Sequence, residues 1–210
     1  MIATYYGKQC VKLQLGDLTI AYNPIGKESK TKSARFGVDI VLSAVNHPDY
    51  NGVDSATHGD RVPFVIAGPG EYEVRGIFIR GIGSEGSLGG KSCHNTIYTL
   101  TIDGIKICFL GVLSRKLLAQ ELEAIDNCDL LFLPIGGEGG MLSPSLAQSV
   151  ALSLSPKAVV PLDYESKVEL KQFLKEAGAE NALESGKLTL KRKDIDGMDG
   201  DVLILTPSGE

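Results

Sequence analysis

What most restricts the fold of this sequence is a change of hydrophobic period about halfway along it. Up to Leu110 the apolar residues fall in short alternating runs, the repeat of strands with one buried face. Residues 11–15 and 18–22 flank Gly16-Asp17, and residues 95–102 and 105–110 flank Asp103-Gly104, a pair that supplies the positive φ angles of a tight turn. Two antiparallel hairpins are expected. Residues 39–45 form a continuous apolar run suited to a buried strand, and 63–67 and 76–82 are further strand candidates.

From residue 114 the period becomes helical. Residues 114–125 place Leu118, Leu122 and Ile125 on one face, and Ser143-Pro144 offers an N-cap followed by proline at the first helical position. Ser166 and Glu169 form a capping box for a helix with the apolar face Leu170, Phe173, Leu174 and Ala177, closed by Gly178. Buried strands 129–135 and 157–162 lie between these helices. Hairpins followed by alternating helices and strands, with no low-complexity linker and no internal repeat, describe a layered α/β domain with a mixed sheet or two packed sheets. With 43% hydrophobic and 22% charged residues, the chain carries enough apolar surface for one domain spanning 1–210.

A formal net charge of −5 provides no overall cationic field for nucleic acid, although Lys191, Arg192 and Lys193 form a local basic run. No segment approaches the roughly 18 to 20 apolar residues of a membrane span. The N-terminus lacks a charged n-region and an apolar h-region, so a cytoplasmic protein without a membrane partner is expected. Cys10, Cys93, Cys108 and Cys128 are widely separated and read as reduced thiols.

Residues 39–52, Asp-Ile-Val-Leu-Ser-Ala-Val-Asn-His-Pro-Asp-Tyr-Asn-Gly, run a buried strand into a loop holding His47 and Asp49. This segment resembles the strand and loop that carry His-x-His-x-Asp-His in the metallo-β-lactamase superfamily. Further blocks extend the resemblance, closest to the small hydrolase-like branch that includes ascorbate-lactonase-like enzymes. They are Tyr5 to Cys10, Ala21-Tyr22-Asn23-Pro24, Gly68 to Val74, Phe109 to Leu113, Leu133 to Gly137 and Val160 to Tyr164. The resemblance implies a four-layer αββα sandwich, two mixed β-sheets flanked by helices, and a two-zinc hydrolytic centre.

The ligands that the family uses are mostly replaced. In the resemblance Val45 and Tyr50 stand at the first and last histidines of the motif, and Lys8 and Asn23 at the opening histidine and aspartate. Val112 stands at the metal-bridging aspartate and Asp163 at the closing histidine, and residues 81–87 contain no histidine. Independently of any family, three histidines, His47, His58 and His94, are too few for two ions held by imidazole and carboxylate. Valine has no lone pair, and an inward Lys8 ammonium raises the electrostatic cost of a nearby cation.

The expected pocket therefore comprises Lys8, Asn23, His47, Asp49, Tyr50, Val112 and Asp163, with no metal or other cofactor. In that reading Asp49 and Asp163 make structural hydrogen bonds, and His47 fills the former metal pocket while bonding a backbone group. The alternative is one divalent ion held by His47, Asp49 and Asp163. His58 reads as a solvated loop residue. A Cys93–His94 nucleophile pair is disfavoured because strand neighbours point to opposite faces. The glycine-rich segments 81–90 and 136–140 lack a P-loop ending and read as flexible loops framing the pocket mouth. Glu71, Tyr72 and Glu73 read as a turn and strand edge, and as pocket-lining groups only by the resemblance. The expected function is a non-catalytic member of the superfamily that binds through its old pocket or self-associates as a homo-oligomer, its partner unspecified. The rival is a hydrolase with a rebuilt single-metal or metal-free site for a small ester, lactone or phosphodiester.

Overall fold

The computed structural model describes residues 1–136 and 139–208. β1 (Ile2–Tyr5), β2 (Val11–Leu15) and β3 (Leu18–Tyr22) run antiparallel, the Gly16-Asp17 turn bringing Leu15 opposite Leu18. β4 (Ile40–Leu42) pairs parallel to β3, and β5 (Phe64–Ile66) parallel to β4. The 39–45 run thus yields only three strand residues. Beyond Leu42 the Ser43 N–H still donates to the Ile66 carbonyl, and the chain then turns into the loop that bears His47.

β6 (Gly70–Val74), β7 (Ile77–Leu88), β8 (Lys91–Ile102) and β9 (Ile105–Phe109) are antiparallel. Here the structure corrects the sequence reading. Residues 81–90 are not a flexible loop: β7 and β8 stay paired from Ile79 opposite Leu100 out to Leu88 opposite Lys91, leaving Gly89-Gly90 as the turn. The glycines serve close backbone approach. A Cβ on Gly86 would stand 2.3 Å from the Val112 carbonyl oxygen.

α1 (Ala119–Ile125), β10 (Leu130–Pro134), α2 (Pro144–Leu154), β11 (Ala158–Leu162) and α3 (Lys167–Glu176) follow, with β9, β10 and β11 parallel. Pro144 opens α2 behind Ser143, and the Glu169 N–H donates to Ser166 Oγ at 3.3 Å, as the cap signals imply. α1 starts later than residue 114. The Leu118 N–H donates to the Glu121 carboxylate at 2.8 Å, Arg115 grips the same carboxylate through two 2.8 Å bonds, and Leu118 itself is 47% exposed. A buried, ion-paired glutamate sets this helix start, and apolar periodicity does not register it.

β12 (Glu184–Ser185), β13 (Leu188–Thr189), α4 (Arg192–Asp196), β14 (Asp201–Val202) and β15 (Ile204–Leu205) are too short to carry a period. Arg192 closes on Asp129 at 2.6 Å and on Asp196 at 2.7 Å, which offsets one of the three cations of the basic run at 191–193.

The first sheet has the order β13-β1-β2-β3-β4-β5 and the second β14-β11-β10-β9-β8-β7-β6. A core including Ile20, Leu42 and Tyr98 fills the space between them, where Tyr22, Phe109 and Phe132 stack at centroid separations of 4.0 and 4.5 Å. A second core, with Leu131, Leu133, Val150 and Phe173, packs α2 and α3 onto the outer face of the second sheet. On the other side Ala21 and Val41 are covered by Phe36, Val38, Val53 and Ala56 from loop segments, and among the described residues no helix precedes Ala119. Two mixed sheets flanked by helices are therefore observed, as the resemblance implies, with one outer layer built largely from loop. Among the described residues no helix is long and apolar enough to cross a membrane.

Candidate functional site

The segments leaving β1, β3, β4, β9 and β11 meet at one end of the sandwich and bring Lys8, Asn23, Tyr50, Val112 and Asp163 together. Lys8, Asn23 and Asp163 all adopt left-handed backbone, with φ of 51°, 43° and 55°. Such conformations cost roughly 1–3 kcal/mol each for residues other than glycine, so surrounding bonds must hold them. Tyr5 supplies two of those bonds: its hydroxyl donates to the Lys8 carbonyl at 2.8 Å and accepts the Asp163 N–H at 3.3 Å. The Asn23 side-chain oxygen accepts the Ala44 N–H at 2.8 Å. Gly136 lets the chain pass Asp163, since a Cβ there would lie 2.2 Å from the Asp163 carbonyl oxygen.

On the pocket floor the Asp163 carboxylate, 2% exposed, accepts from the Tyr50 hydroxyl at 2.8 Å and from Gln9 Nε2 at 3.1 Å, while Lys8 Nζ lies 3.8 Å away. Burial pushes the Asp163 carboxyl above its ordinary pKa, against the opposing pull of Lys8, Tyr50 and Gln9. Burial, followed by the Asp163 charge, also raises the Tyr50 hydroxyl, which remains a proton donor. Gln9 joins the network to Asn23, whose Nδ2 donates to Gln9 Oε1 at 3.0 Å. Sequence reasoning missed Gln9. Its one signal was a polar residue between Lys8 and Cys10 at the mouth of a buried strand.

Above this floor Val45, Tyr50, Val112 and Met141 form a buried apolar cluster, flanked by Leu88 and Cys93. His47 does not fill the pocket, contrary to expectation. It is 45% exposed at the rim, where Nδ1 accepts the Asp49 N–H at 3.2 Å, and Tyr50 takes the inward place because its hydroxyl satisfies Asp163. The Asp49 carboxylate accepts from the Ser29 hydroxyl and lies 4.0 Å from His47. Among the described residues no three His, Cys, Asp or Glu side chains converge on a point able to hold a metal. The donor set offered to a cation is one buried carboxylate beside an ammonium, walled by valines, and it does not fit a metal ion. What remains open is a cleft of about 590 Å³ bordered by Lys8, His47, Asp49, Tyr50, Lys91 and Glu165.

The other candidates lie apart from this floor. His58 is exposed in a turn bridged to Arg61. His94 is exposed on β8, while the partly buried Cys93 thiol is pushed up by desolvation, opposite to what a nucleophile needs. Glu71, Tyr72 and Glu73 belong to edge strand β6, with the Tyr72 hydroxyl donating to the Gly68 carbonyl at 3.2 Å. Within 136–140, Gly137 lies outside the described residues.

A family profile described as a beta-lactamase superfamily domain matches residues 3–163. The chain belongs to the metallo-β-lactamase superfamily. No curated protein matches it. Among solved structures it is similar to an inferred Zn-dependent hydrolase of the metallo-β-lactamase superfamily from Thermotoga maritima, at 25% identity and a TM-score of 0.78, covering 97% of both chains. It also resembles an inferred metal-dependent hydrolase from Parabacteroides distasonis, at 18% identity and a TM-score of 0.67, covering 97% of this chain and 93% of that one. A third neighbour is a metallo hydrolase from Ignicoccus hospitalis, at 17% identity and a TM-score of 0.63, covering 98% and 95%. In this metallo-β-lactamase fold the Asp163 network lies in the segments that leave β1, β3, β4 and β11 at one end of the sandwich.

Proposed function

We propose that this chain is a non-catalytic metallo-β-lactamase-fold protein, a cytoplasmic single domain whose former metal pocket now serves binding. One observation carries the reading: the Asp163 carboxylate is answered by the Lys8 ammonium, Tyr50 and Gln9, beneath an apolar cap that includes Val45 and Val112. Hydrolysis by metal ions depends on acidifying a bound water and polarising the scissile group. A centre for that chemistry requires lone pairs where valine side chains stand, and His47 and Asp49 face the rim. The hydrolase names of the structural neighbours speak for the scaffold. Caps, hairpin turns and buried strands remain mutually consistent around the changed pocket, the pattern of a fold retained for use.

The test is metal content by inductively coupled plasma mass spectrometry on protein purified without a metal-affinity step, before and after exposure to Zn²⁺, Mn²⁺ and Mg²⁺ followed by dialysis. Competent sites hold zinc tightly, so less than about a tenth of an equivalent is expected in every sample. Stoichiometric metal that disappears in an Asp163→Ala variant would overturn the proposal and restore the hydrolase reading.

A further inference from the structure

Among the described residues four charged side chains border the open cleft, the cations Lys8 and Lys91 and the anions Asp49 and Glu165. Elsewhere in the molecule opposite charges close on each other: Arg61 and Arg75 meet Asp39 at 2.8 Å, and Arg192 meets Asp129 at 2.6 Å. In the cleft they are held apart. Among the described residues neither Lys91 nor Glu165 forms an ion pair, Lys8 leans on Asp163 below at 3.8 Å, and Asp49 is turned toward Ser29 and His47. Leu88 and Met141 give the same cleft an apolar wall.

A simple dianion entering here meets Asp49 and Glu165, and a simple polycation meets Lys8 and Lys91. A molecule bearing one charge of each sign and a short apolar body complements all of them. We propose that the cleft binds a small zwitterion, of amino-acid to short-peptide size, with its carboxylate toward the two lysines and its ammonium toward Glu165 and Asp49. This assignment rests on the reading of the pocket as a non-catalytic binding site. The cleft volume of about 590 Å³ lies within the range of roughly 300–1,000 Å³ usual for small-molecule sites.

The experiment is an NMR shift titration of the chelator-treated full chain with the dipeptide alanyl-leucine, its N-acetyl form and its C-terminal amide. Saturable binding near or tighter than about 1 mM is expected for the free dipeptide, with each capped form at least about tenfold weaker. Lys91→Met and Glu165→Gln should each weaken binding about fivefold or more, while Lys171→Met, exposed on α3, leaves it unchanged. Absence of saturation up to about 10 mM, or equal binding of the capped forms, overturns the inference and leaves the non-catalytic reading standing. Cleavage of the dipeptide by the chelated protein has the opposite result: it sinks the non-catalytic reading and sustains the cleft as the site.

Discussion

Asp39 and Asp163 both have shielded side chains, 6% and 2% exposed, but Asp39 is a half-buried residue beneath exposed arginines and Asp163 is fully buried, and their surroundings treat the charge in opposite ways. Asp39, just ahead of β4, accepts from the Thr19 N–H at 2.8 Å and the Thr19 hydroxyl at 3.1 Å, and meets Arg61 and Arg75 at 2.8 Å. Burial alone raises its pKa, but these partners outweigh burial and hold the carboxyl below its usual range. Asp163 has neutral donors and an ammonium only at 3.8 Å, so burial wins and its pKa is raised. Depth and pairing act together: Asp163 lies deeper and so meets the larger desolvation, and no cation closes on it at hydrogen-bonding distance as Arg61 and Arg75 close on Asp39. Around Asp39 the charges tie the turns at Asp17 and Arg75 to the first sheet. Around the pocket Lys91 and Glu165 are left without ion-pair partners among the described residues, as the proposed binding site requires.

The sharpest attempt to break this contrast is Val112→Asp, which puts a second carboxylate into the buried apolar cap among Val45, Tyr50 and Met141. A loss of about 3 kcal/mol or more in urea unfolding is expected, with no recovery on adding Zn²⁺. Recovery by zinc would show a pocket still able to gather ligands. Asp39→Asn comes next, with a loss of about 2 kcal/mol at neutral pH. Its folded pKa is depressed, so the wild-type contribution is present above the unfolded carboxylate pKa and is lost as pH falls through the folded one. The gap between variant and wild type should therefore shrink on acidification. A gap that persists unchanged at low pH would mean that the substituted amide harms packing and not charge.

The sequence exposes the parts of the molecule that local rules build. Gly16-Asp17 marks the β2–β3 hairpin, Ser166 with Glu169 marks the start of α3, and the apolar runs at 129–135 and 157–162 become β10 and β11. It conceals what depends on distant backbone. The glycines of 81–90 look like flexibility, although Gly86 is required because the Val112 carbonyl passes against it. The start of α1 depends on Arg115 and Glu121 pairing in a buried setting. At the site, the scarcity of histidines is visible from residue chemistry, whereas the inward turn of Tyr50, the outward turn of His47 and the role of Gln9 follow from three-dimensional competition for Asp163.

The smallest effect belongs to Asp163→Asn, and its sign is the more informative part. An asparagine oxygen accepts from Tyr50 and Gln9 as the carboxylate does, and the partly exposed Lys8 ammonium is left to water. Removing a buried charge whose ammonium partner stands at 3.8 Å, outside hydrogen-bonding distance and partly exposed, should leave stability at neutral pH unchanged or raised by up to about 1 kcal/mol. The wild-type carboxyl has a folded pKa above its unfolded value, so on acidification the native state takes up the proton first. Wild-type stability gains from this group as pH falls through that window, and the variant has no such gain. The margin of the variant over wild type should therefore narrow as pH falls, just as the loss in Asp39→Asn shrinks, but starting from the other side of zero. Thermal unfolding of both variants across the acidic range distinguishes the cases. If Asp163→Asn instead loses about 2 kcal/mol at neutral pH, Lys8 holds its carboxylate as firmly as Arg61 and Arg75 hold theirs, and the contrast between a closed and an open charge no longer separates scaffold from site.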